Sequence, residues 1–139
     1  MKITKRFKWV MGHRLAFHKG ECYTPHGHNY EMKITVEGEP NQNGIVIDFN
    51  ELSNLFKELI HEPYDHSFLL YINDSDLIII NKNTRPFKLR YVSFETTAEN
   101  LAKFIFENFS KKINNDKIKV TRVKVYETPT SEAVYYGND

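Results

Sequence analysis

The chain is poor in cysteine and carries no excess of either charge. It has one cysteine among 139 residues, and its formal net charge is +1 at pH 7. A single cysteine excludes an internal disulfide and fits a reducing compartment, where the thiol stays free to act as a nucleophile or base. The balanced charge gives no strongly basic or acidic surface of the kind that binds nucleic acids or membranes. We therefore expect neither a nucleic-acid partner nor a membrane partner.

Long hydrophobic runs are also missing. The first ten residues, MKITKRFKWV, contain no apolar stretch like that of a signal peptide. The longest apolar runs, Phe68–Ile72 and Leu77–Ile80, are much too short to span a bilayer. The chain is 40% hydrophobic and has no repeat or linker, so residues 1–139 are predicted to form one domain with a single core. We expect a soluble, cytoplasmic protein.

The strands are predicted from alternating hydrophobicity. The clearest case runs from Tyr30 to Glu37, where apolar and polar residues alternate at every position. The turn residues Pro40–Gly44 predict a hairpin from this strand to a short third strand. The predicted strands cover residues 2–11, 27–38, 45–47, 119–127 and 133–136, with Leu77–Ile80 and Leu89–Phe94 as further extended candidates.

Two helices are predicted from their apolar spacing and their start signals. The first begins after Asp48 and ends at Pro63. The second begins with a capping box of Thr96 and Glu99 and ends near Lys111-Lys112. The order β-β-β-α-α-β-β predicts an α+β domain, with two helices on one face of a four-stranded antiparallel sheet. The exposed edges of such a sheet favour closure against other subunits.

The stretch from His13 to Tyr30 contains four of the six histidines and the cysteine. His26 and His28 are two apart at the start of a strand, so both imidazoles are predicted on the same face. His13 lies at the end of the preceding strand and can reach them as a third ligand. Three neutral imidazoles without a fourth protein ligand are typical of a catalytic zinc that keeps one coordination position open. Each histidine alone has an ordinary surface, capping or core alternative, so the prediction depends on their co-occurrence.

Three other polar features are candidates for chemistry. Cys22 lies four residues before His26, on the loop that leads to the predicted metal site, and a nearby metal ion favours the thiolate. Asp65 and His66 fit a proton relay, or alternatively a turn cap beside an exposed histidine. Glu127 has the parity of the apolar residues of its strand, where a carboxylate needs a partner. A ligand with two adjacent N–H donors would be such a partner, and an internal Lys or Arg is the alternative.

Together these residues resemble the 6-pyruvoyl-tetrahydropterin synthase family, which includes bacterial 6-carboxy-tetrahydropterin synthases of queuosine biosynthesis. The matching segments follow the family's order over nearly the whole chain. They are Gly12-His13-Arg14-Leu15, Cys22-x-x-x-His26-Gly27-His28-x-Tyr30, Gly44-Ile45-Val46-Ile47-Asp48-Phe49, Asp65-His66, Thr97-Ala98-Glu99-Asn100-Leu101-Ala102 and Glu127-Thr128.

The sequence departs from the family pattern at a few positions. Thr96 stands where the family often has Pro, and Leu70 stands where an Asn often follows the Asp-His pair. A folate-pathway branch replaces the cysteine with a glutamate nearer to the His-Gly-His element. That position is Tyr23 here, which disfavours this branch.

The resemblance implies a tunnelling fold (T-fold), in which four antiparallel strands and two helices close with other subunits into barrels. Family members are commonly hexamers made of two trimers, with active sites at subunit interfaces. The implied roles are as follows: His13, His26 and His28 bind Zn²⁺; Cys22, Asp65 and His66 are catalytic; Glu127, Thr97 and Glu99 bind the pterin. Arg14 and Lys19 are the candidates for binding the triphosphate.

The implied reaction converts 7,8-dihydroneopterin triphosphate into 6-carboxy-5,6,7,8-tetrahydropterin, with release of acetaldehyde and triphosphate. The compact chain favours this bacterial enzyme. The alternative within the family is 6-pyruvoyl-tetrahydropterin synthase, which eliminates triphosphate without cleaving the side chain. An alternative of another class is a non-catalytic oligomer that binds zinc or a purine-like ligand.

Overall fold

The computed structural model describes residues 1–74, 76, 82 and 85–138. Two long strands open the chain and are joined by a loop that contains the short 3₁₀ turn Glu21–Tyr23. The strands are β1 (Lys2–His13), β2 (His26–Gly38), β3 (Ser67–Tyr71), β4 (Leu89–Val92), β5 (Ile118–Thr128) and β6 (Ser131–Tyr135). Among the described residues, two helices pack against the sheet: α1 (Phe49–Phe56), which continues through a π-helical turn (Lys57–His61) and a last turn (Glu62–Tyr64), and α2 (Ala98–Ile113).

The strands form a mixed sheet in the order β4-β3-β1-β2-β5-β6. The four strands β1, β2, β5 and β6 pair antiparallel, as predicted for the main sheet. The prediction of a purely antiparallel four-stranded sheet is nevertheless wrong, because β3 adds to β1 in parallel and β4 adds to β3 in parallel. Leu69 and Leu70 are neighbours in β3 and both are buried, so this strand lacks the alternation by which strands are recognised.

The predicted third strand, Ile45–Ile47, is not a strand in the structure. Both edges of β2 are already occupied, by β1 on one side and β5 on the other, so a hairpin partner has no place to pair. Asn41 instead closes a turn, because its side-chain oxygen accepts hydrogen bonds from the Asn43 and Ile45 amides. Of the two further extended candidates, Leu89–Phe94 contains β4, and Leu77–Ile80 lies outside the described residues.

The core lies between one face of the sheet and the two helices. Alternate residues of β1, β2 and β5 are buried, which is the burial pattern of a sheet covered on one face. The main contributors are Trp9, Met11, Tyr30, Met32, Ile34, Val123 and Val125 from the sheet and Leu52, Phe56, Ile60, Leu101, Ile105 and Phe109 from the helices. In the described part of the chain, no helix combines the length and the apolar character needed to cross a membrane.

The helix caps confirm one start signal and correct the other. Asp48 is the N-cap of α1, and its carboxylate accepts a hydrogen bond from the Asn50 amide. The N-cap of α2 is Thr97, not the predicted Thr96, and its hydroxyl accepts from the Asn100 amide. Thr96 is fully buried and turned toward β1, where it contacts His13.

Candidate metal centre and active site

Strand pairing brings the three predicted ligands together. His13 ends β1 and pairs with His26 at the start of β2, while His28 pairs with Met11. His13 and Met11 share the buried parity of β1, and His26 and His28 share the parity of the buried Tyr30 in β2. All three imidazoles therefore lie on the helix-covered face, at one end of the sheet.

The distances between the ring nitrogens suit one metal ion. Nε2 of His28 lies 3.1 Å from Nε2 of His26 and 3.1 Å from Nε2 of His13. The ligand atoms of the three residues all lie within 4.8 Å of one another. A tetrahedral zinc with Zn–N bonds of about 2.0–2.1 Å separates its ligand atoms by roughly 3.3–3.4 Å. The cluster therefore fits a zinc ion closely.

Two backbone carbonyls fix the tautomers of two of the three imidazoles, those of His13 and His26. Nδ1 of His13 lies 2.8 Å from the Thr96 carbonyl oxygen, and Nδ1 of His26 lies 2.6 Å from the Thr24 carbonyl oxygen. A carbonyl only accepts, so each Nδ1 carries the proton and each Nε2 turns its lone pair into the cluster. This is the donor set of a metal site, and lone pairs packed this closely need a cation or a proton between them.

Two of the three imidazoles, those of His13 and His28, are uncharged at neutral pH. Burial lowers the pKa of His13 to about 4; the Thr96 carbonyl opposes this, and the neighbouring His26 and His28 add to the decrease. Burial also lowers the pKa of His28, with a further contribution from His26. Because His13 is uncharged, its 3.8 Å contact with Glu127 is not an ion pair at neutral pH. Neutral imidazoles are the form that binds a metal.

Glu127 is a half-buried carboxylate beside the cluster. Burial raises its pKa, as does Glu99, while His26 has the opposite effect. Among the described residues, no lysine or arginine forms an ion pair with it, so the alternative of an internal salt bridge does not hold. The carboxylate therefore lies next to the histidine cluster without a Lys or Arg partner in the described part of the chain, and it is suited to N–H donors of a ligand.

Thr97 and Glu99 lie at the start of α2. Thr97 is occupied as the helix N-cap, and Glu99 is an exposed residue of the first helical turn. Glu99 is close enough to raise the pKa of Glu127, which places this helix end at the same site.

Cys22 lies in the loop between the first two metal-ligand positions, His13 and His26. It is a half-buried free thiol in the 3₁₀ turn, and its carbonyl accepts a hydrogen bond of 2.8 Å from the Leu15 amide. This bond joins the segment that follows His13 to the segment that precedes His26. The structure thus places the thiol in the segment that joins two ligands, and within the described residues it makes no hydrogen bond to the imidazoles.

Asp65 and His66 form a hydrogen-bonded pair, as a relay requires. Asp65 Oδ2 lies 2.6 Å from His66 Nδ1, and Asp65 Oδ1 accepts from the Val10 amide at 2.9 Å. Burial raises the pKa of Asp65, but the hydrogen bonds from Val10 and His66 outweigh it and hold the pKa below its usual value. The backbone of His66 has a φ of 57°, and its amide donates to the Val10 carbonyl.

Asp65 and His66 face an open cleft. The His66 side chain is 79% exposed, and both residues line a cleft of about 990 Å³. Charged side chains of the sheet face opposite to the helices line the same cleft, and His28 and Glu127 border it. These charged residues are Arg6, Lys8, Glu31 and Lys33. Cys22 and His13 do not line it, whereas His66 also lines a second cavity together with His26 and His28.

Arg14 differs from its prediction, Lys19 does not, and one contact of Thr96 has no signal in the sequence. Arg14 is a predicted triphosphate ligand, but its guanidinium is buried against Asp74, with which it forms two hydrogen bonds. Lys19 remains an exposed loop residue. Thr96 is predicted only as a helix cap; its contact with His13 spans 83 positions and leaves no local pattern.

An α+β domain that gathers three imidazoles beside a half-buried carboxylate has the side chains with which an enzyme could hold a metal ion next to a small molecule. Comparison with known proteins defines the group. The family model described as 6-pyruvoyl tetrahydropterin synthase matches residues 2–138. The chain therefore belongs to the 6-pyruvoyl tetrahydropterin synthase family.

Individual relatives agree with this assignment. A 6-carboxy-5,6,7,8-tetrahydropterin synthase from Haemophilus influenzae is 32% identical and aligns over 96% of this chain and 97% of its own. One from Rickettsia conorii is 34% identical, over 93% of this chain and 95% of its own. The crystal structure of the uncharacterized protein WS1659 from Wolinella succinogenes has a TM-score of 0.84 at 26% identity, covering 99% of this chain and 98% of that one.

Proposed function

We propose that the protein is a zinc-dependent 6-carboxy-5,6,7,8-tetrahydropterin synthase. It would convert 7,8-dihydroneopterin triphosphate into 6-carboxy-5,6,7,8-tetrahydropterin, with release of acetaldehyde and triphosphate, as a step toward queuosine. The observation that carries this proposal is the convergence of three imidazole nitrogens beside an unpaired, half-buried carboxylate. The family membership and the names of the Haemophilus and Rickettsia relatives support the choice of reaction.

Glu127 is the proposed anchor of the pterin ring. The amino-pyrimidinone edge of a pterin presents adjacent N–H donors, which match the two oxygens of a carboxylate. Binding these donors would relieve the cost of holding the Glu127 carboxylate half-buried without a cationic partner. Thr97 and Glu99, at the start of α2, are proposed to border the same ring.

His13, His26 and His28 would hold the zinc ion. When bound, zinc supplies a Lewis acid that makes the hydroxyl groups of the substrate side chain more acidic. Cys22 Sγ, as a thiolate, would take a proton from a carbon of that side chain. His66 Nε2 would accept or return a second proton, while Asp65 holds the opposite ring nitrogen through its 2.6 Å contact.

We further propose that the active site is completed by a second subunit, in a hexamer made of two trimers whose sheets close into a barrel. The support is that one chain holds the relay on an exposed cleft and the thiol on the β1–β2 loop. A neighbouring subunit that packs on this cleft would bring its own metal centre to His66.

The direct test is product analysis with 7,8-dihydroneopterin triphosphate. The zinc-loaded protein is expected to release acetaldehyde in equal amount to triphosphate. Triphosphate release with a dicarbonyl pterin and no acetaldehyde would assign the 6-pyruvoyl activity instead.

The same assay tests the non-catalytic alternative. A protein that only binds zinc or a purine-like ligand would give no product, and its Cys22→Ala variant would match the wild type in every assay. We expect instead that Cys22→Ala binds zinc normally but loses roughly 10²–10⁴-fold in turnover, the usual contribution of a positioned acid or base.

A further inference from the structure

Few side chains of the loop that carries Cys22 pack into the hydrophobic core. The loop runs from Arg14 to Pro25 between two paired ligands, and residues 16–21 are all exposed. Its ends are fixed, because His13 and His26 are partners in the β1–β2 pairing. Between these ends, the Leu15–Cys22 backbone hydrogen bond holds the two arms together. The position of the thiol therefore depends on the few side chains that fasten the loop.

Arg14 is the most strongly fastened side chain of this loop. Its Nε donates to Asp74 Oδ2 at 2.7 Å and its Nη2 donates to Asp74 Oδ1 at 2.6 Å. Nη2 also lies 3.3 Å from Asp76 Oδ2. Arg14 is 7% exposed and Asp74 is 5% exposed, so this is a buried, two-pronged ion pair. Such a pair fixes the plane of the guanidinium as well as its position.

The free face of that guanidinium lies against Tyr23, the residue after Cys22. The Arg14 Cζ atom is 4.7 Å from the centre of the Tyr23 ring, which is a cation–π contact. Tyr23 is 46% exposed and is not part of the core. Arg14 is therefore a rigid support for the arm of the loop that holds the thiol.

We propose that Arg14 is a positioning residue that holds Cys22 toward the metal centre, through a clamp formed by Arg14, Asp74 and Tyr23. This inference rests on the proposed function, in which the Cys22 thiol moves a substrate proton. The clamp also accounts for a buried arginine, next to His13 in the chain, that does not serve as an anion site. The Arg14 guanidinium already forms ion pairs with two carboxylates, those of Asp74 and Asp76.

The test compares variants of Tyr23 and Asp74 in the full-length, zinc-loaded protein. Tyr23→Leu removes the ring from the guanidinium, and Tyr23→Phe is the matched control that keeps it. Asp74→Asn weakens the other side of the clamp. Glu58→Gln is its control, since the exposed Glu58 pairs with Lys112 far from the loop. Tyr23→Leu is the decisive variant, because an exposed residue can be changed without unfolding the chain.

Three readouts are measured: zinc per chain, the kcat and KM for acetaldehyde release, and the alkylation rate of Cys22 by iodoacetamide with and without zinc. The chain has one cysteine, so alkylation reports on this thiol alone. We expect Tyr23→Leu to keep its zinc and its KM but to lose about tenfold or more in kcat, as small misplacements of catalytic groups do. The effect of zinc on the alkylation rate should be present in the wild type and in Tyr23→Phe, and reduced in Tyr23→Leu and Asp74→Asn.

A Tyr23→Leu variant with the kcat and the zinc-dependent alkylation of the wild type would overturn the clamp. The clamp would also be overturned if zinc did not change the alkylation rate of the wild-type thiol. It would be overturned as well if the clamp variants lost zinc in proportion to their loss of kcat. Failure of the proposed function is seen separately. If Cys22→Ala keeps full turnover, the catalytic role of the thiol is wrong, while the alkylation rates still decide whether the clamp positions it.

Discussion

At the scale of the residue, the protonation state of His13 governs whether the histidine cluster can bind a metal ion. Its imidazole is 1% exposed and donates through Nδ1 to the Thr96 carbonyl. Burial disfavours the charged ring, so the side chain enters the cluster neutral and with its Nε2 lone pair directed at the other imidazoles. The same burial makes the metal-free protein sensitive to acid.

The metal-free protein is expected to lose stability as the pH falls from about 6.5 to about 4. The pKa of His13 drops from 6.5 to about 4 on folding, so the unfolded chain binds more protons in this range. Stability is complete above the unfolded pKa, and up to about 3 kcal/mol is lost on reaching the folded pKa. Urea unfolding in the presence of a chelator, at a series of pH values, measures this slope.

The control for this prediction is another histidine of the same loop region. His18→Gln, at an exposed position, should keep the slope, whereas His13→Gln should flatten it. An equal slope in the two variants would show that another group causes the acid sensitivity.

Glu127 gives a second prediction at this scale. Glu127→Gln replaces a carboxylate that accepts two N–H donors with an amide that accepts through one oxygen only. Hydrogen bonds to a charged group contribute about 1.5–3 kcal/mol, so kcat/KM should fall by roughly 10- to 100-fold at unchanged zinc content. The exposed Glu107→Gln on α2 is the control and should match the wild type. Wild-type kcat/KM in Glu127→Gln would remove the pterin anchor from the proposal.

At the scale of the element, the start of α2 serves two purposes at once. Thr97 caps the helix, and the residue before it, Thr96, accepts the hydrogen bond from His13. Two consecutive residues thereby cap the helix and orient the His13 ring. Thr96 stands where the family often has Pro. A proline would supply the same carbonyl, and the Thr96 side chain adds a hydroxyl 3.2 Å from His13 Nδ1.

Thr97→Ala is expected to lower the free energy of unfolding by about 1 kcal/mol, the usual cost of a lost N-cap. Thr97→Ser keeps the hydroxyl and should restore most of the stability. Urea unfolding measures both variants, and KM for the pterin is measured beside it. A raised KM in Thr97→Ala but not in Thr97→Ser would support the proposed contact with the pterin, and an unchanged KM would limit Thr97 to capping.

At the scale of the whole molecule, the proposed catalytic groups are divided between two surfaces. The histidine cluster lies at one end of the helix-covered face, and Asp65 and His66 line the open cleft. A subunit that contributes its relay to a neighbour would join the two. This arrangement links activity to assembly.

Mixing inactive variants tests this division. Cys22→Ala and His66→Ala subunits should each be nearly inactive alone, and assemblies refolded or co-expressed from both should regain part of the activity if the proposed hexamer forms. Complementation occurs because some interfaces then combine an intact thiol with an intact relay from different chains. Product formation per total subunit, measured beside the mass of the assembly, gives the result. Mixed hexamers without any recovered activity would place both groups in one chain.

The period of a β-strand is enough to predict much of the site. His26, His28 and Tyr30 share one parity, and so do Val123, Val125 and Glu127, so their common face follows from alternation alone. Asp48 is recognisable as a helix cap because its signal is local. These features depend on neighbours within a few positions of one another.

Other features depend on contacts that no local pattern records. The parallel strand β3 is buried on both faces and lacks alternation. Thr97 rather than Thr96 caps α2, because Thr96 forms hydrogen-bond contacts with His13. Arg14 is a reasonable phosphate ligand by sequence, but Asp74, 60 positions away, binds its guanidinium. The sequence alone thus determined which histidines form the cluster and the face on which it lies. Only the tertiary structure decided which distant groups orient its ligands, because pairing across the chain depends on how the whole sheet and helices pack.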